Sequence, residues 1–317
     1  MRTLLLAFIF SGCGSDGKGT DDTGAGGWDV GSEPASSLAP VDPPSNGSCP
    51  NIGESGTVNF VSSNEDRVVT MVVPEDPPEN MPLVYFFHGL MDPGGTPNPT
   101  EYMASGLNLQ SIADRLGVAF ALPQSGVLSR MGFSFFMWNV EDVESADIVL
   151  FDDIRSCADS ELGIDLRRVH AVGMSGGALF TTVVARDRGD ALASMVEMSG
   201  GSDVDMLTFD SPLSAYSTPR YPTPALLISG GESDIWPGGG LTLVDFSAAT
   251  DTLADRLVDD GHFVVRCEHG GGHSIPYAGM QAAELWIESH AFEEASPIET
   301  DGIDAYAEFD DWCTLLN

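Results

Sequence analysis

Arg168-Val169-His170-Ala171-Val172-Gly173-Met174-Ser175-Gly176-Gly177-Ala178 runs from a β-branched apolar segment into a glycine-flanked serine, and from there straight into an apolar helical stretch. A serine on so sharp a strand-to-helix turn takes a strained backbone conformation, and glycines at 173 and 177 leave room for it. Ser175 would then project above the sheet. The plain alternative is a glycine-rich turn whose serine only caps the helix. With 36 glycines in the chain the five-residue pattern carries little weight alone. Its place between a strand and a helix is what gives it meaning.

The flanking sequence repeats the same alternation. Residues 57–61 and 67–73 read as an antiparallel hairpin, and 83–87 is a continuous apolar run of the buried-strand kind. Helical 105–116 leads to strand 118–122, helical 141–158 to strand 169–173, and helical 176–187 to strand 193–198. Strand 225–229, helix 244–260, strand 263–267 and helix 277–292 complete the series. Strands separated by helices imply an α/β class, with a mostly parallel central sheet covered by helices on both faces. No internal repeat or interior linker divides 49–317, which reads as one catalytic domain.

A serine nucleophile needs a base, and on this kind of sheet the partners follow in the order serine, acid, histidine. Of the six histidines, His170 and His262 fall in strands and His290 late in the last helix, where they read as packing residues. His269 and His273 follow the terminal strand, and the glycines before His273 suit a loop that swings an imidazole toward Ser175. His273 is the preferred base and His269 the alternative. Asp234, in the loop after strand 225–229, is the acid that would orient the imidazole, with Glu232 as the alternative. His88-Gly89-Leu90 ends the strand at 83–87. The N–H of Leu90 and that of Gly176 are the expected oxyanion donors, and His88 reads as structural.

The chain has 317 residues, 42% of them hydrophobic, which is enough for a large core. It carries 48 acidic against 13 basic residues, a formal charge of −35, and the imbalance persists when residues 1–48 are set aside. Such a surface repels polyanions, so nucleic-acid binding is excluded. The acidity reads as a solubility or salt-tolerance device. Met1-Arg2, the apolar run 4–10 and Ser11-Gly12-Cys13 resemble an export signal ending in a lipobox, with Cys13 as the lipidated residue. The run is too short to span a bilayer, so a membrane would be touched only through that anchor. Residues 14–48, rich in Gly, Ser, Asp, Thr and Pro, read as a flexible linker. Cys49, Cys157, Cys267 and Cys313 remain as an even set that allows two disulfides in any of three pairings, as expected of an extracytoplasmic protein. No pair has metal-site spacing.

His88-Gly89, the elbow at 173–178, the Asp234 loop and Gly272-His273-Ser274-Ile275-Pro276 together resemble the α/β-hydrolase superfamily. Within it they resemble the secreted polyhydroxybutyrate depolymerase and feruloyl esterase-like group, over roughly residues 66–292. Ile164-Asp165-Leu166-Arg167-Arg168-Val169 resembles that group's Asp-x-x-Arg-Val approach to the elbow, whereas Ser175-Gly176-Gly177 departs from its Ser-Ala-Gly or Ser-Asn-Gly. The resemblance implies an exported serine esterase acting on a small or polymeric ester, with no metal or organic cofactor. A peptidase with the same triad and a non-catalytic surface-binding relative are the alternatives. The aromatic segment 131–139, with Trp138, and Trp236 beyond the acid are expected to line the substrate mouth.

Overall fold

The computed structural model describes residues 37–316 apart from 131–132, 142–143, 206–210, 239–240 and 310. The signal-like segment 1–13 with Cys13, residues 14–36 of the expected linker, and two residues of the aromatic segment lie outside the described residues. The chain opens with the hairpin β1 (Gly56–Ser62) and β2 (Glu65–Val72), followed by β3 (Leu83–Phe87), α1 (Pro99–Gly106), α2 (Leu109–Leu116) and β4 (Ala119–Pro123). A short hairpin, β5 (Val127–Arg130) and β6 (Phe133–Phe136), precedes α3 (Ala146–Leu162), β7 (Val169–Met174), α4 (Gly176–Arg188), β8 (Ser194–Met198) and β9 (Ala225–Ser229). A second hairpin, β10 (Ile235–Gly238) and β11 (Leu241–Asp245), leads into α5 (Phe246–Asp259), then β12 (Val264–Glu268), α6 (Tyr277–Ser289), α7 (Pro297–Asp301) and β13 (Cys313–Leu316).

Nine of these strands form one sheet in the order β1-β2-β4-β3-β7-β8-β9-β12-β13. The six from β4 to β12 are parallel, while β1, β2 and β13 run antiparallel at the two edges. Successive side chains of a strand point to opposite faces, and the buried strands are apolar on both. Val84, Phe86, Val172 and Val196 pack on one face against Met103 of α1, Ile112 of α2 and Trp286 of α6. On the other face the Tyr85 ring lies against Phe151 of α3 and Phe87 against Phe180 of α4.

Several elements differ from the sequence reading. The helix expected over 105–116 is two helices, because Asn108 adopts a left-handed conformation (φ 53°) between them. The helix expected from 141 begins at 146, where the Ser145 hydroxyl accepts a hydrogen bond from the Ile148 amide. Residues 37–48 do not behave as linker. The Ala39 N–H donates to the Asp190 carbonyl, Arg155 of α3 donates to the carbonyls of Ala39 and Pro40, and the Ser45 amide and hydroxyl both donate to Asp153. This polar segment is fixed by backbone hydrogen bonds that composition does not reveal. The open disulfide pairing resolves to Cys49–Cys157, which clips the same segment to α3, and Cys267–Cys313, which joins β12 to β13.

Candidate active site

Parallel strands carry their site at the carboxyl edge, and here β3, β7, β8 and β9 each end in a residue sequence that converges there. At the end of β7, Ser175 sits with φ 57° and ψ −123° as the residue before α4. That strained turn is held by packing. A Cβ on Gly173 would lie 2.3 Å from the Gly177 carbonyl oxygen, and one on Gly177 would lie 2.1 Å from that of Phe87. The Ser175 N–H donates to the Met198 carbonyl at 2.9 Å, fastening the turn to the end of β8.

The Ser175 hydroxyl lies 2.9 Å from His273 Nε2, and His273 Nδ1 lies 2.8 Å from Asp234 Oδ1. These are the three side chains picked from sequence. Their loops meet because Gly230 and Gly272 touch: the Gly272 N–H donates to the Gly230 carbonyl, and a Cβ on Gly230 would stand 2.0 Å from the Gly272 oxygen. Asp234 is fully buried while His273 is partly open to solvent. Burial alone would raise the Asp234 pKa. Hydrogen bonds from His273, the Gly230 N–H and the Ser199 hydroxyl outweigh it and hold the carboxyl below its usual range.

Beside the serine, a Cβ on Gly89 would lie 3.7 Å from the Ser175 hydroxyl oxygen, and one on Gly176 would lie 3.5 Å from the Leu90 nitrogen. The Gly89-Leu90 backbone therefore passes close to Ser175 and Gly176. Gly176 opens α4, so its N–H belongs to the turn that helices leave unpaired. His88 secures this loop from below. Its Nδ1 bonds the Gly89 carbonyl at 2.7 Å and its Nε2 accepts from the Ser125 N–H at 3.1 Å. Burial holds its pKa down to about 4, so it stays neutral.

The two tryptophans separate. Trp138 does not form a mouth: it is 2% exposed, stacks on Phe180 and donates from its indole N–H to the His88 carbonyl. A cavity of about 490 Å³ is lined by Trp138 together with Arg67, Gln124, Ser125 and Asp147 rather than by the serine and histidine. Trp236 is half-buried on β10, two residues past Asp234. Of the remaining histidines, His170, His262 and His290 are buried and bonded within the core, and burial depresses the pKa of each. His269 accepts the Gly271 N–H and shapes the loop that carries His273, and Glu232 is exposed. Among the described residues no cluster of metal-ligating side chains is found. Two residues at the site escaped the sequence reading. Ser199 donates to Asp234, and Phe246 stacks on the His273 ring at 4.5 Å.

No protein-family model matches the chain. Over 178 residues, 55% of this chain, it is 28% identical to poly(3-hydroxyalkanoate) depolymerase C of Paucimonas lemoignei, and the match covers 42% of that protein. The chain thus spans less than half the length of this relative. Among solved structures, the protein called pOPH superposes with a TM-score of 0.61 at 16% identity, covering 86% of this chain and 96% of its own. A fluorophosphonate-binding serine hydrolase of Staphylococcus aureus superposes with a TM-score of 0.51 at 15% identity over 74% of this chain and 99% of its own. The chain has the α/β-hydrolase fold, and its resemblance to the polyhydroxybutyrate depolymerase group extends to a curated relative.

Proposed function

We propose that this chain is an exported serine hydrolase of carboxylic esters, with Ser175 as nucleophile, His273 as general base and Asp234 as the group that orients it. The continuous hydrogen-bond path from the Ser175 hydroxyl through both imidazole nitrogens to a buried carboxylate carries this reading. His273 Nε2 takes the hydroxyl proton as the serine oxygen attacks the acyl carbon. The oxyanion forms in the space between the Leu90 and Gly176 amides, each such donor being worth about 3 kcal/mol at the transition state. Collapse expels the alcohol, which takes the proton from His273, and leaves Ser175 acylated. Water activated by the same imidazole then releases the acid and restores the serine.

The name of the curated relative favours a polyhydroxyalkanoate or its fragments as substrate, with Trp236 beside the acyl site. Two disulfides support export, because they persist in oxidising compartments. A lipid anchor at Cys13 is part of the same proposal and would hold the domain at a membrane surface.

The test is covalent labelling with a fluorophosphonate probe, followed by turnover of p-nitrophenyl acyl esters, feruloyl esters and polyhydroxyalkanoate films. Labelling is expected in the wild type and absent in Ser175→Ala, whose kcat should fall by about 10⁶ with the fold intact. Ester turnover retained in Ser175→Ala would overturn the assignment.

A further inference from the structure

Glu197 is a buried carboxyl that the proposed reaction does not use. It lies on β8 with no exposure, opposite Gly173 of β7 and Leu227 of β9, and points toward α4. Its Oε1 is 2.5 Å from the Thr182 hydroxyl oxygen, and its Oε2 accepts the Gly201 N–H at 2.8 Å. The same Thr182 oxygen is 3.0 Å from the Gly201 carbonyl. One threonine proton faces two acceptors here. With an ionised carboxylate, either Oε1 or the Gly201 carbonyl lacks a donor, and a negative charge stands without a cation. With a proton on Oε1 every atom is served: Glu197 donates to Thr182, Thr182 donates to the Gly201 carbonyl, and the Gly201 N–H donates back to Oε2.

This ring pins Gly201, two residues beyond Ser199. Ser199 itself is held at φ 54°, with its N–H on the Ile228 carbonyl at 2.7 Å and its hydroxyl on Asp234 Oδ2 at 2.8 Å. We propose that Glu197 works as a neutral carboxylic acid whose ring with Thr182 and Gly201 is a positioning device for Asp234, acting through Ser199. The positioning role rests on the triad assigned above; the neutral state does not.

Among the described residues, none of the groups packed around Glu197 is an ionic partner. α4 presents Ala178 and Thr182, the following loop Gly200 and Gly201, and α5 Ala249 and Thr250. Charged groups along these elements include Asp234, bound by Ser199; Asp203, two residues past Gly201, which accepts the Tyr216 N–H; and Arg186, one turn along α4 from Thr182 and bound to Asp187 and the Ala215 carbonyl. Burial raises the Glu197 pKa to about 8 against the hydrogen bonds from Thr182 and Gly201, with no charged side chain contributing. Above that pH the carboxyl loses its proton to solvent and the ring opens.

Infrared difference spectra of the full chain, wild type against Glu197→Gln, read the charge directly. A protonated-carboxyl band is expected at pH 7, giving way to a carboxylate band as pH rises past 8. In parallel, wild-type kcat on a p-nitrophenyl ester, corrected for spontaneous hydrolysis, should fall at least about fivefold between pH 7 and 9.5 with KM little changed. Glu197→Ala should lower kcat at pH 7, while Glu197→Gln, whose amide donates to Thr182, should restore most of it and abolish the alkaline decline. Absence of the protonated band at pH 7, or an unchanged alkaline decline in Glu197→Gln, would overturn the proposal. If Glu197→Gln does not fold, Thr182→Val takes its place: it should shift the same band, and an unshifted band counts against the ring. Failure of Ser175 labelling would instead overturn the triad and leave the infrared result standing.

Discussion

At Asp234 three donors meet one buried carboxylate, and the contribution of each can be separated. A hydrogen bond to a charged group contributes about 1.5–3 kcal/mol. Removing the Ser199 hydroxyl takes away one of the interactions that hold the Asp234 pKa down. A depressed carboxylate pKa stabilises the fold above the unfolded-state value near 4, and that stabilisation is lost as pH falls through the folded-state value. Ser199→Ala should therefore lower unfolding free energy by about 1–2 kcal/mol at pH 7 in urea titrations, and by less at a pH acidic enough to protonate the folded carboxyl. A difference that is equal at both pH values would contradict this account. The sequence reading picked out Ser175, Asp234 and His273 because chain order and loop position narrow the choice among few histidines. Ser199 and Phe246 lie 35 and 27 residues from the partners they serve, at a strand end and a helix start, with no spacing that marks them. Glu197 reads in sequence as one more acid of an acidic chain. Only its burial distinguishes it.

The parallel strands were legible because their mostly apolar runs are buried on both faces and separated by helical stretches of ordinary length. The hairpins β5–β6 and β10–β11 and the edge strand β13 were not: each of these short strands is interrupted by a polar residue, Pro or Gly, so none shows a continuous apolar run. Residues 37–48 misled for a different reason, since a segment fixed by main-chain hydrogen bonds has the same polar composition as one that is free. Its disulfide to α3 closes a span of 108 residues against 46 for Cys267–Cys313. In the chain-entropy account both bridges are worth about 2–5 kcal/mol, with the longer loop contributing about 0.8 kcal/mol more. Paired Cys→Ser variants should rank accordingly in urea, with Cys49→Ser/Cys157→Ser the less stable. The reverse order would mean that native-state packing around the bridges outweighs loop closure.

Across the whole molecule the formal charge of −35 acts as self-repulsion, which salt screens over about 10 Å at 0.1 M. Raising NaCl from 10 mM to 0.5 M should therefore raise Tm by a few degrees, in the range that about 1 kcal/mol produces for a protein of this size. A Tm that falls with salt would mean that specific ion pairs such as Arg188 with Glu144 and Asp152 outweigh the general field. The same charge keeps one copy away from another, but it does not protect every part of the sheet equally. On its outer side β12 is paired by the four residues of β13, and the Cys267–Cys313 bridge adds a covalent tie to that short ladder. Cutting that bridge would loosen a short edge strand, baring a row of main-chain donors and acceptors on β12 that can template onto another chain. Reduction should then show first as light scattering that grows with protein concentration, before circular dichroism reports any loss of the central strands.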